Sequence, residues 1–332
     1  MNAPHYRAVL LAKNDVADAF KKYAPANGVA FISAYDGSAD NHAAAIESVP
    51  NAVVVMDITS APASAADELI RKLQPKRGYI AIVGDIREGF VYLGRGAADM
   101  IVKPAAVTAQ SAESFVYSLC TKIKMIKNQG AEVLKRELKY DGAGISDKII
   151  AIGSSTGGTE IILEIIKQFP HNCPPVLVAQ HMPPVFTKLY AQRLHDKCKA
   201  SVWEAKDGDA LRPGLVLIAP GDHQMRVVKK NGAYSVTVIS GEKVNGHAPS
   251  IDVLFNSVAQ AAGSKAIGVI LTGMGMDGAS GLLEMRKKGA ATFGQDAESS
   301  VVYGMPKAAF EMGAVMRQLG TADIPSAILK SI

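Results

Sequence analysis

Aromatic residues are scarce in this chain, with one tryptophan and 6% aromatics overall. That leaves little material for a platform that stacks bases or sugar rings. Cysteine is scarcer still. Cys120, Cys173 and Cys198 are odd in number and no C-x-x-C occurs, so they read as free thiols in a reducing compartment rather than a disulfide framework. His195 and Cys198 lie three apart on an expected helix, but two ligands without a second pair make a poor zinc site. No metal and no cofactor is expected. No apolar run approaches the roughly 20 residues that span a bilayer, and residues 1–7 lack the charged-then-apolar order of a signal peptide. A strong excess of one charge sign is missing too. A net +5 over 332 residues, with no basic face interleaved with aromatics, gives no footprint for nucleic acid. The expectation is a soluble cytoplasmic protein, not inserted in membrane and not bound to nucleic acid.

What is present is apolar material in short, regular runs. Hydrophobic residues make up 48% and charged ones 20%, ample for sizeable cores, and the length suits two domains. In the first third, Ala8 to Ala12, Val29 to Ser33, Ala52 to Met56, Tyr79 to Val83 and Asp99 to Val102 alternate with helical patterns such as Ala66 to Leu73. The last helix shows Phe115, Leu119, Ile123 and Ile126 on one face. Five such units predict a parallel sheet covered on both faces, with ligands beyond the strand C-termini. Asp57 and Lys103 stand at two of those ends. Beyond them, Lys122 to Lys139 is charged, and Tyr140 to Asp147, with Gly142, Gly144 and Ser146, reads as a boundary.

The rest of the chain is organised around Ile149 to Thr159, a β-branched run that breaks at Gly153 and re-forms as an amphipathic segment with Ile161, Ile162, Ile165, Ile166 and Phe169. That is strand, tight turn, helix. Gly153-Ser154-Ser155-Thr156-Gly157 fits G-x-S-x-G, in which a sharp turn lifts one hydroxyl beside a helix N-terminus. A Cβ at either glycine is expected to collide with backbone. Three roles suit such a serine equally: nucleophile, helix cap, or part of a phosphate-cradling loop.

Further strands are expected at Pro175 to Gln180, around Trp203, at Leu215 to Ile218 and at Ile267 to Leu271. Met225 to Val228 and Tyr234 to Ile239 flank Asn231-Gly232, a hairpin signal. Expected helices use Phe186, Leu189, Tyr190 and Leu194, then Val253, Leu254 and Val258 behind a Ser250 cap, then Leu282, Leu283 and Met285. Ser155, His181 and Asp277 all fall at C-terminal ends of buried-type strands, which converge in a doubly wound sheet. Such a set lets imidazole take the serine proton while the carboxylate fixes its tautomer. Each residue also has a plainer reading, as a strand end or a turn.

Two resemblances come from these residues. With Asp57 and Lys103-Pro104 at strand ends, the first third resembles a response-regulator receiver, which implies Asp57 as the phosphoacceptor position and Lys103 as its contact. It departs from that pattern in three places. Lys13 and Asn14 stand where receivers carry an acidic pair for Mg²⁺, Asp15 is expected to point away, and Gly84 stands near the usual hydroxyl position. A lysine ammonium is expected to fill the cation site, leaving Asp57 unphosphorylated. Residues 149 to about 312 resemble the CheB protein-glutamate methylesterases through Ile152 to Glu160, Gln180-His181-Met182-Pro183-Pro184, Ile218 to Asp222, Pro249 to Phe255 and Gly268 to Gly278.

The second resemblance implies Ser155 as nucleophile, His181 as general base and then acid, Asp277 as its orienter, and backbone N–H groups near His181 and Met274 as oxyanion donors. It implies a methylated chemoreceptor cytoplasmic domain as substrate, glutamine deamidation by the same acyl route, and a histidine kinase or other signalling protein as partner. The expected fold is α/β with two doubly wound domains. Residues 1–125 form a five-stranded, receiver-like (flavodoxin-like) domain, 126–147 a linker, and 148–332 a larger parallel-sheet methylesterase domain with an antiparallel hairpin. Two rivals remain from other classes: a nucleotide-binding oxidoreductase using Gly153 to Gly158, and a non-enzymatic signalling scaffold. Gly294-Gln295-Asp296 with Glu298 and Met305-Pro306 resembles a loop near the family's site. Asn245-Gly246-His247 reads as a surface segment, with receptor docking as the functional alternative for His247.

Overall fold

The computed structural model describes residues 6–33, 39–60, 68, 70–71, 79–85, 88–89, 91–92, 95, 97–129 and 147–332. The expected helix at Ala66 to Leu73 falls largely outside these, as does most of the expected linker. Backbone contacts divide the chain into two units, Met1–Leu134 and Lys135–Ile332.

In the first unit the strands are β1 (Tyr6–Leu11), β2 (Val29–Ser33), β3 (Val53–Asp57), β4 (Tyr79–Val83) and β5 (Asp99–Val102), with helices α1 (Asn14–Tyr23), α2 (Ala39–Ser48) and α3 (Ala109–Gln129). All pairings are parallel, in the order β2-β1-β3-β4-β5. This is the flavodoxin-like order. The central strands β3 and β4 are buried along their whole length, because parallel strands carry apolar side chains toward helices on both faces. Phe115, Val116, Leu119 and Ile123 of α3 pack with Leu10, Val53, Val55 and Ile80 on one face.

The second unit holds β6 (Ile149–Ser154), α4 (Gly158–Lys167), β7 (Val176–Gln180), α5 (Phe186–Lys197), β8 (Ser201–Glu204) and β9 (Leu215–Ile218). After them come β10 (His223–Lys230), β11 (Ala233–Ser240), α6 (Ile251–Ala262), β12 (Ala266–Ile270), α7 (Ala279–Lys287), β13 (Ala291–Gln295), α8 (Met305–Glu311), β14 (Arg317–Leu319) and α9 (Ile324–Lys330). Seven parallel strands run β14-β13-β12-β6-β7-β9-β8, and β10 pairs with β11 as an antiparallel hairpin. Ile161, Ile162, Ile165 and Ile166 are fully or nearly fully buried, each contributing about 1.5–3 kcal/mol of transfer free energy. Leu189 is the exception among the expected core positions. It is 48% exposed on α5, while Phe186, Tyr190 and Leu194 carry that helix's contact with the sheet.

From β6 the chain winds one way, to β7, and from β12 it winds the other, to β13. The reversal between β6 and β12 opens a crevice beyond their C-termini. The glycines at this rim work differently from expectation. A Cβ on Gly153 would stand 2.2 Å from Ile251 Cγ2 and 3.0 Å from Phe255, and one on Gly157 would meet Val301. The obstruction is side chains of other elements, not backbone. Gly157 also has φ of +83°, a region that L side chains rarely adopt.

Candidate active site

Ser155 is the first residue beyond β6. Its N–H donates to Thr272 O at 3.0 Å. Its carbonyl accepts the Gly158 N–H at 3.0 Å and Gln180 Nε2 at 2.9 Å. The Ser155 turn is therefore tied to the loop after β12 and to the end of β7. Thr272, fully buried, is the hub of this tie. Its hydroxyl donates to Thr156 O at 3.0 Å and accepts the Val302 N–H at 2.9 Å, and its own N–H reaches Gln295 Oε1 at 2.8 Å. Gln295, in the segment expected from sequence to be a loop, is the last residue of β13, fully buried, and acts as a brace.

His181 follows β7, and its Nε2 lies 2.8 Å from Asp277 Oδ2. Asp277 is nearly fully buried in a ring of donors. Its Oδ2 also accepts the Ile251 N–H at 2.7 Å. Its Oδ1 accepts Ser250 Oγ at 2.9 Å, Asn245 Nδ2 at 2.8 Å and the Asp252 N–H at 3.3 Å. Burial alone would raise the pKa of this carboxyl. The donors from His181, Asn245, Ile251 and Ser250 outweigh it and hold the group down to about 2. An ionised Asp277 accepts a proton-bearing Nε2, which leaves Nδ1 as the basic atom. Nδ1 is buried and has no hydrogen-bond partner. Among the described residues the Ser155 hydroxyl also carries no hydrogen bond. Gly273 closes on it from the β12 side, where an added Cβ would lie 2.7 Å from Ser155 Cβ.

The structure thus pairs His181 with Asp277 and fixes Ser155 at the same rim through backbone bonds. The expected His181 oxyanion donor is corrected, because that N–H is given to Ser154 O at 3.1 Å, extending the β6–β7 pairing. The Met274 N–H, on a residue 76% exposed, carries no hydrogen bond among the described residues. The same holds for the N–H of Thr156, which follows the serine. The phosphate-loop alternative meets an obstacle here as well. Its glycines need open space for a ligand, yet Gly153, Gly157 and Gly158 each face a side chain of the protein itself.

Sequence reasoning found Ser250 as a helix cap, which it is, with its Oγ accepting the Val253 N–H. It missed that the same hydroxyl donates to Asp277. It read Asn245 and His247 as a surface segment and missed the bond of Asn245 to Asp277 and the contact of His247 with His181. An available signal was Asn245-Gly246, the same dipeptide that marked the hairpin at 231–232. His195 packs into the fold on its own terms. Its Nδ1 accepts the Val202 N–H at 3.3 Å and its ring lies against Trp203. Among the described residues no cluster of His, Cys, Asp and Glu suits a metal ion.

In the first unit, Asp57 is fully buried. Its Oδ1 accepts the Thr59 hydroxyl at 2.6 Å and the Thr59 N–H at 3.1 Å. Lys103 Nζ lies 3.2 Å from Asp57 Oδ2 and 2.8 Å from Asp15 Oδ2. Two expectations change. Asp15 is turned toward the site, and the ammonium beside Asp57 is that of Lys103, whereas Lys13 is exposed. Burial would lower the Lys103 pKa, but the two carboxylates raise it, and burial of Asp15 is likewise outweighed by Lys103, which lowers that carboxyl. The bridge forms because Asp15 lies in the first turn of α1, just beyond β1, which pairs with β3.

A family model described as CheB methylesterase matches residues 150–328. A protein-glutamate methylesterase/protein-glutamine glutaminase 2 of Syntrophomonas wolfei is 45% identical over 286 residues, 84% of each chain. A counterpart numbered 1, from Caulobacter vibrioides, is 46% identical over 240 residues, 70% of this chain and 69% of that one. Among solved structures, the crystal structure of the Thermotoga maritima CheB methylesterase catalytic domain superposes with a TM-score of 0.55 at 40% identity, covering 57% of this chain and 100% of the other.

Proposed function

The chain belongs to the CheB methylesterase family, and from that premise we propose that Ser155, His181 and Asp277 carry out hydrolysis of methyl-esterified glutamate side chains on a chemoreceptor's cytoplasmic domain. The observation that carries this reading is the 2.8 Å pair between His181 Nε2 and Asp277, which leaves a buried, unpartnered Nδ1 at the rim that holds Ser155. His181 Nδ1 takes the Ser155 proton as Oγ attacks the ester carbonyl. The tetrahedral oxyanion is met by the N–H groups of Met274 and Thr156, each such donor being worth about 3 kcal/mol in the transition state. His181 then gives its proton to the departing methoxide, and water, activated by the same nitrogen, splits the glutamyl–enzyme. Glutamine enters the same route with ammonia as the leaving group.

No helix among the described residues is long and apolar enough to cross a membrane, and we place the protein in the cytoplasm, where receptor tails and signalling kinases meet it. Residues 1–125 are read as a degenerate receiver joined by 126–147 to the catalytic domain at 148–332. With Lys103 bridging Asp15 and Asp57, phosphorylation control is lost or altered. The test is methanol release from methylated receptor membranes. Wild type is expected to release methanol and Ser155→Ala to release none while keeping its fold. A Ser155→Ala variant as active as wild type would sink the assignment.

A further inference from the structure

The turn from Val244 to His247 touches both members of the acid–base pair and belongs to neither strand that carries them. Val244 and His247 exchange two backbone hydrogen bonds, 3.0 and 2.9 Å, around Asn245 and Gly246, whose φ values are +55° and +81°. This is a two-residue hairpin turn of the kind Asn-Gly favours, since both central residues need positive φ. The turn is anchored from below by buried Gln224, whose Nε2 donates to the carbonyls of His247 and Glu242 at 3.0 and 3.2 Å, and whose Oε1 accepts the Ser250 N–H at 2.9 Å. From this base, Asn245 Nδ2 reaches Asp277 Oδ1 and Asp252 Oδ2, both at 2.8 Å. The His247 ring lies on the His181 ring, centroids 3.7 Å apart and planes 12° from parallel.

We propose that His247 is a positioning residue for proton transfer: its uncharged ring, face to face with His181, holds that imidazole with Nε2 on Asp277 and Nδ1 toward Ser155. The proposal rests on the reading of Ser155, His181 and Asp277 given above. An imidazole tethered at Cβ and held by one hydrogen bond to Asp277 can still tilt through its χ1 and χ2 torsions, and Nδ1 then swings away from the serine. A flat neighbour on one face removes that freedom. The requirement for an uncharged ring follows from the chemistry. His181 becomes a cation as it takes the serine proton, and a second cation in face contact opposes that step. The charged and titratable groups facing His247 are His181 from the β7 end, Asp277 from the β12 end and Lys243 on its own segment. Burial, then His181, lower the His247 pKa, against the pull of Asp277, so the ring is neutral at neutral pH.

The experiment is a pH series of methanol release from methylated receptor membranes by full-length wild type, His247→Ala and His247→Phe, with circular dichroism to verify each fold. His247→Ala is expected to lower kcat roughly tenfold through misplacement of His181, with KM within about twofold. His247→Phe, which restores a flat neutral ring, is expected to recover most of that loss. The acid limb of log kcat in wild type is expected to steepen from a slope of about 1 toward about 2, because two imidazoles must be neutral, and to stay near 1 in both variants. The wild-type slope is readable whether or not a variant folds. Matching kcat values and matching acid limbs in all three proteins would overturn the proposal, as would a His247→Phe enzyme no faster than His247→Ala. Activity that survives Ser155→Ala would instead point to failure of the nucleophile assignment itself.

Discussion

His181 Nε2 lies 2.8 Å from Asp277 Oδ2, and that single contact decides which ring nitrogen keeps its lone pair. The carboxylate can accept from only one nitrogen, so the proton-bearing nitrogen faces Asp277 and the lone pair at Nδ1 faces away. Replacing Asp277 with Asn removes the acceptor that selects this tautomer. By analogy with other triads, kcat for methanol release is expected to fall by roughly 10⁴ with the fold retained. A loss below tenfold would remove Asp277 from the mechanism.

The same carboxyl makes stability depend on acid. Its pKa is held at about 2, below the ordinary 3.8, so the folded state binds the proton less tightly than the unfolded chain does. The resulting stabilisation is complete above about pH 4 and disappears as pH falls through about 2, amounting to about 2 kcal/mol. Urea unfolding of the catalytic unit's transition at several pH values should show this loss, and Asp277→Asn should flatten it.

Thr272 is the brace most sensitive to a small change. In Thr272→Val the shape is kept, but the part-buried Val302 N–H and Thr156 carbonyl lose their hydroxyl partner. The expected cost is about 1 kcal/mol of stability, with a fall in kcat as the Ser155 turn loosens. Thermal unfolding and methanol release on the one variant measure both. A fully active, fully stable valine variant would show that the turn holds itself.

Asp57 has one oxygen on Thr59 and the other on Lys103, which Asp15 holds in turn. Incubation with acetyl phosphate and Mg²⁺ is expected to leave intact mass and esterase rate unchanged. Stoichiometric phosphoryl transfer to Asp57 with a rise in rate would show a working receiver.

The thiols should be inert. Burial pushes Cys120 up to about 12 and Cys173 and Cys198 up to about 11, so each holds less thiolate at pH 8 than an ordinary cysteine. Iodoacetamide at that pH is expected to leave activity intact. Rapid loss of activity would place a reactive thiol at the site.

The strands and helices around the site were legible because their periods are written locally. β6 announces itself by four β-branched or small apolar residues before Gly153, and α4 by isoleucines at helical spacing. Ser155, His181 and Asp277 were legible for a related reason: Ser155 and His181 stand directly after buried strands and Asp277 in the loop that follows β12, and parallel sheets gather such positions at one edge. Asn231-Gly232 announced its hairpin by itself, since the residues that favour the turn are the turn.

Partners far apart in the chain were decided only by the tertiary structure. Nothing local says that Asn245 reaches Asp277, that His247 lies on His181, or that Asp15 bends back to Lys103. Whether the His181 N–H is free or given to Ser154 depends on how β6 and β7 pair, and whether Leu189 is covered depends on how α5 lies on the sheet. A sequence fixes which groups can donate, accept or stack. Only the folded backbone brings two of them within about 3 Å, where a hydrogen bond is made.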